Sequence, residues 1–122
     1  MATEPRYDLK ERTFQFGVRV LKFASTLPRT VIAVELTRQL IRAATSVGAN
    51  VEESEGAESR RDTAHKMGIA RKEARESRYW LRMILEAGIV SASQKDEVSA
   101  LILEAEELVK ILSTIIRKLA TK

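Results

Sequence analysis

Leu101, Ala105, Leu108, Leu112, Ile115 and Leu119 follow one another at alternating steps of four and three residues. That spacing lines one face of an α-helix, whereas a strand turns its side chains over every two residues and cannot use it. Three earlier segments carry helical apolar spacing as well, separated by short breaks at Pro28, around Gly56 and around Gly88. The first opens at Tyr7-Asp8, with the Asp8 carboxylate placed to accept from first-turn amides, and runs to Leu27 before Pro28 stops it. The second runs from about Thr30 to Glu55, with Ala33, Leu36, Leu40, Ala43, Ala44, Val47 and Val51 as its core row. The third follows Ser59, which with Asp62 resembles a capping box, and continues to Ala87 with Gly88 as a left-handed stop. The fourth starts near Ser91 or Ser93. Helices joined by short loops must alternate in direction, so the expected fold is all-α, an antiparallel up-and-down four-helix bundle. We read residues 1–122 as a single domain with 1–7 as a loose N-terminal arm. The 5 Gly and 2 Pro are too few to punctuate a β-sandwich or barrel.

Two of the helices have more apolar circumference than a lone bundle needs. Helix 1 has Phe14, Val18 and Leu21 on one side and Phe16, Val20, Phe23 and Leu27 on nearly the opposite side. Helix 3 turns Met67, Ala70, Ala74, Leu81 and Leu85 one way while Ile69, Tyr79, Trp80 and Met83 cluster on the far side. Wide apolar arcs can belong to a deeply buried helix of a small bundle. Aromatic residues and Met are also enriched at subunit contacts, and in water they would form a patch uncommon on a monomer. We therefore expect a homo-oligomer whose interface includes Phe16, Val20, Phe23, Ile69, Tyr79, Trp80 and Met83.

The chain has 21 basic and 17 acidic residues, a net charge of +4, and the excess sits in residues 57–90. Arg71, Arg75, Arg78 and Arg82 form a line on helix 3, with Arg60 and Arg61 at its approach and Lys66 beside it. Guanidinium groups in a line match phosphates along a backbone, and each neutralised phosphate releases counterions. The same arginines can equally pair with carboxylates of a neighbouring helix, with Glu73 and Glu76 close by. Helix 2 carries a second polar row, Glu35, Gln39, Arg42, Ser46, Asn50 and Glu53. It is either a solvated face or a hydrogen-bonded seam against Lys66, Glu73 and Glu76, and Gly48 and Gly68 bear on this because interior glycines suit close backbone approach.

No reaction is suggested. The absence of cysteine excludes disulfides, iron–sulfur clusters and thiolate zinc. His65 is the only histidine, and with Asp62 it makes one Asp-x-x-His pair, whereas a dimetal carboxylate bundle needs two Glu-x-x-His units. Neither a phosphate-binding loop nor a dinucleotide fingerprint occurs, and Glu52 and Glu53 point about 100° apart on a helix. The expectation is a non-enzymatic protein without metal, cofactor or small-molecule substrate. No targeting segment or membrane span is visible, and we read the chain as cytoplasmic.

The stretch Leu36-Thr37-Arg38-Gln39-Leu40-Ile41-Arg42-Ala43-Ala44-Thr45-Ser46-Val47-Gly48-Ala49-Asn50-Val51-Glu52-Glu53 resembles the signature of the 23S rRNA intervening-sequence proteins, a family of four-helix bundles. Arg42, Ser46, Asn50 and Glu53 are its most specific element; Leu27-Pro28, Ser59 with Asp62, Glu76, and Tyr79-Trp80-Leu81-Arg82 extend the resemblance over almost the whole chain. Ser54, Thr63 and Arg71 depart from the family pattern, which usually has Gly, an aromatic and an apolar residue there. The resemblance implies a homopentameric ring, similar to the accessory protein of diversity-generating retroelements, in which basic surface is proposed to contact nucleic acid. The family label comes from genes lying inside rRNA insertions and does not make the chain a ribosome component. The expected partners are other copies of the chain and structured RNA or DNA, held through phosphates with low sequence specificity; the runner-up is a protein-interaction scaffold in which intersubunit carboxylates consume the arginines.

Overall fold

The computed structural model describes residues 9–121. They form α1 (Leu9–Ala24), α2 (Val31–Ser54), α3 (Arg60–Glu86) and α4 (Lys95–Ala120), with a 3-10 turn over Ala92–Gln94 leading into α4. The Asp8 cap and the arm at residues 1–7 fall outside the described residues.

Each helix stops and starts for a local reason. The Thr30 hydroxyl accepts from the Ala33 amide at 3.2 Å and the Ser59 hydroxyl from the Asp62 amide at 3.0 Å, so α2 and α3 both open on a side-chain cap. At the end of α3, Gly88 takes φ 73°, which glycine adopts without strain. Its amide then donates to the Leu85 carbonyl at 3.1 Å and the Ile89 amide to the Ile84 carbonyl at 3.3 Å, closing the helix in a Schellman turn. The Gln94 amide nitrogen donates to the Thr26 carbonyl at 3.0 Å, tying the α3–α4 loop to the α1–α2 loop at one end of the bundle.

Pairs across the helices show that neighbours run in opposite directions. Arg71 and Arg78 of α3 donate to Ser113 and Glu106 of α4, so the number rises along one helix as it falls along the other. Arg12 and Arg19 of α1 meet Glu104 and Glu97 of α4 in the same inverse order. α1 packs closely on α2 but stands farther from α4, where these two Arg–Glu pairs bridge the gap.

The core takes one stripe from every helix. Leu101, Ala105, Leu108 and Leu112 of α4 are fully buried, as are Leu40, Ala43, Ala44 and Val47 of α2 and Ala70, Ala74 and Leu81 of α3. On α1 the buried row is Phe16, Val20 and Phe23, with Leu9 and Thr13 continuing it. This corrects the interface expected at Phe16, Val20 and Phe23, because those side chains face the protomer's own core and are closed to another subunit. The other α1 row faces outward, with Phe14 60% exposed where Phe16 is 1% exposed. Phe14, Val18 and Leu21 line a groove of about 310 Å³ between α1 and α2. No helix among the described residues is long and apolar enough to cross a membrane.

Gly48 sets the spacing of α1 and α2: a Cβ there would lie 3.2 Å from the Thr13 carbonyl. The close approach is to α1, not to the seam with α3. A Cβ on Gly68 would meet nothing within 4 Å. Gly48→Val is therefore expected to destabilise the fold by about 1–3 kcal/mol as the helices part. Gly68→Ala should add up to about 1 kcal/mol from helix propensity alone. Urea unfolding of the two variants checks both signs.

Candidate nucleic-acid interface

α3 is about 40 Å long and its basic residues divide by the direction they face. Arg60 donates to the carbonyls of Lys118 at 2.9 Å, Leu119 at 3.2 Å and Thr121 at 3.1 Å, covering acceptors that α4 leaves open at its C-terminus. Arg71 donates to Ser113 at 3.3 Å, and the Arg78 guanidinium sits 2.6 Å from the Glu106 carboxylate. Lys66 pairs with Glu53 of α2 at 3.1 Å. These four are engaged inside the protomer.

Arg61, Arg75 and Arg82 face outward and have no carboxylate within ion-pair distance among the described residues. The expected arginine line is thus split: Arg71 and Arg78 lean to α4, while Arg75 and Arg82 stay in solvent. Lys72 and His65, not included in the expected basic surface, are exposed on the same face at three- and four-residue steps, as is Tyr79. From Arg61 to Arg82 this strip covers about 32 Å of helix.

A quarter turn away, α3 meets α2 along a polar seam. The Arg42 Nη2 donates to Gln39 Oε1 at 2.8 Å, Ser46 Oγ to the Arg42 carbonyl at 2.8 Å, and Asn50 Nδ2 to the Ser46 carbonyl at 2.9 Å. Of the family motif, Arg42, Ser46 and Asn50 therefore bond along their own helix, and Glu53 alone reaches α3, through Lys66. Facing them, Glu73 is 9% exposed, and Glu76 and Trp80 are half-buried. Burial pushes the Glu73 carboxyl above its ordinary value of 4.5 and the Glu76 charge adds to this, with Lys72 and Arg42 opposing. A raised pKa means that the native protomer keeps a proton the unfolded chain has released. Its stability therefore falls as pH rises from the ordinary carboxylate range through the raised value. Glu73→Gln is expected to remove that fall, as read from protomer melting curves against pH in dilute solution.

The tyrosine and tryptophan of this face stack edge to face, with ring centroids 5.0 Å apart at 80°. Tyr79 is 53% exposed, Met83 is at the border of exposure, and Ile69 is half-buried.

The sequence profile described as 23S rRNA-intervening sequence protein matches residues 6–114. The chain belongs to that family. Among solved structures it is similar to a protein of unknown function from the S23 ribosomal protein family of Bacteroides thetaiotaomicron VPI-5482, at 31% identity and TM-score 0.77. The match covers 89% of this chain and 98% of that one, so the shared fold includes all four helices. No curated protein matches the chain. This 23S rRNA-intervening sequence protein carries exposed charge on the α3 strip and buried charge in the seam.

Proposed function

We propose that this family member is a non-enzymatic homo-oligomeric scaffold, pentameric as its family resemblance implies, that holds structured RNA or DNA by phosphates along the outer face of α3. One observation carries the reading. Among the described residues Arg61, Lys72, Arg75 and Arg82 have no carboxylate partner and share one helical face, while Arg60, Lys66, Arg71 and Arg78 are engaged within the protomer. A row of free cations about 32 Å long suits a polyanion whose charges repeat along its length. The strip has no element shaped to read base edges, so affinity should depend on salt far more than on sequence. Titrating the protein with a structured RNA and a DNA duplex at several salt concentrations tests this; affinity that does not change with salt defeats the phosphate reading.

The oligomer reading is supported by apolar side chains left in water. Phe14, Leu21, Val34, Tyr79, Met83 and Leu103 are all exposed, a burden that a second copy would relieve. Light scattering should give a multiple of 13.7 kDa. The groove between α1 and α2 favours a second reading, a protein-interaction scaffold with no nucleic-acid role. A partner protein still captured after nuclease treatment, with no nucleic acid recovered beforehand, would favour it.

A further inference from the structure

Glu73, Glu76 and Trp80 lie in one row of α3, at i, i+3 and i+7, facing α2. Glu73 Oε1, Glu76 Oε1 and Trp80 Nε1 are all withdrawn from water, and none has a hydrogen-bond partner among the described residues. Glu73 is nine-tenths buried. Buried polar atoms in native proteins are nearly always paired, so three orphans in one row point to a missing occupant.

The chemistry of the row selects that occupant. Two carboxylate oxygens with free lone pairs repel phosphate and require N–H donors, best carried on a cation. Among the described residues no donor of the protomer is bonded to these atoms. Arg42, the basic residue of α2 whose charge acts on Glu73, donates to Gln39, and Lys66 donates to Glu53. Lys72 acts on Glu73 only through space and makes no hydrogen bond to it.

We propose that a second copy of this chain covers the row, its guanidinium or ammonium group drawing the Glu73 and Glu76 carboxylates outward into ion pairs while its apolar surface covers Trp80 and Met83. This rests on the homo-oligomer reading above. The complementary charge is present in the chain itself, since Lys22 and Arg29 are exposed and lack a carboxylate partner among the described residues, as do the cations of the α3 strip. The row is also continuous with Tyr79 and Met83, the exposed apolar part of α3. A guanidinium over the Trp80 indole would add a cation–π contact to the two ionic ones.

Trp80 is the only tryptophan, so its fluorescence reports on this row alone. Light scattering on the full chain should show assembly. Across the concentration range where assembly forms, Trp80 emission should move to shorter wavelength and become less open to quenching. The double variant Glu73→Gln/Glu76→Gln should assemble at least 10-fold more weakly, with helical content unchanged and dilute-protomer melting not lowered. A merely structural role for the two glutamates would instead lower that melting point. Unchanged Trp80 emission through assembly overturns the proposal even if the double variant cannot be purified, and so does a folded double variant that assembles as tightly as the parent. A parent that stays at 13.7 kDa removes the oligomer reading and this proposal together, whereas an assembled parent with either unchanged signal removes this proposal alone.

Discussion

Phe16→Ala is expected to cost the protomer about 3–5 kcal/mol, and Phe14→Ala less than about 1 kcal/mol, although the two residues are two positions apart on the same helix. Phe16 is fully enclosed, so truncation removes its buried apolar area and leaves a cavity that its neighbours fill only in part. Phe14 already has 60% of its surface in water. A domain of this size is stable by only about 5–15 kcal/mol, so the Phe16 variant loses a large fraction of its margin. Urea unfolding at low protein concentration gives both numbers. A reversed ranking, with Phe14→Ala the costly change, would mean that α1 is rotated by about half a turn from this arrangement. In concentrated solution the ranking should change character: Phe14→Ala, with its intact core, should weaken self-association, while Phe16→Ala acts through folding.

The second large effect concerns salt. If Arg61, Lys72, Arg75 and Arg82 each neutralise one phosphate of a duplex, log affinity should fall with log salt at a slope of about −3.6 per protomer. A fourfold rise in salt then costs roughly 100-fold in affinity. Lys72→Glu/Arg75→Glu/Arg82→Glu leaves one contact, a slope near −1, and a loss of only about 3- to 4-fold over the same rise. All three side chains are exposed, so the variant should keep its fold. Arg78→Ala is the contrasting control: it breaks the 2.6 Å pair with Glu106 and should loosen α3 from α4 without changing the slope. A triple variant with the parent's slope would take the strip out of the contact.

The four helices were readable because their stripes and stops are local. The α4 stripe lies in the core from Leu101 to Leu112, and Gly88 takes the left-handed turn its position suggested. The choice between the two α1 rows was missed, although a signal for it existed. Leu9, Thr13, Phe16, Val20, Phe23 and Leu27 repeat the four-three alternation of α4, whereas Phe14, Val18 and Leu21 make only two steps of it. Thr13 hides the longer row, being polar in sequence yet buried with its hydroxyl turned to the Leu9 carbonyl at 2.9 Å. The division of the arginine line was beyond reach, because it depends on the register that brings Glu106 and Ser113 of α4 opposite Arg78 and Arg71. The same holds for Glu73, whose burial follows from the close packing of α2 on α3 and from no property of its immediate neighbours in the chain.

The gap between α1 and α4 makes the bundle mechanically unequal on its four sides. Three flanks are zipped by interlocking side chains, which resist prising apart until the core itself gives way. The fourth is latched at Arg12 and Arg19 by charges that dissolved ions weaken. The first helix is thus held by unlike forces on its two edges: on α2, where Gly48 lets the backbones nearly touch, by contact that salt leaves alone, and on α4 by ion pairs that salt loosens.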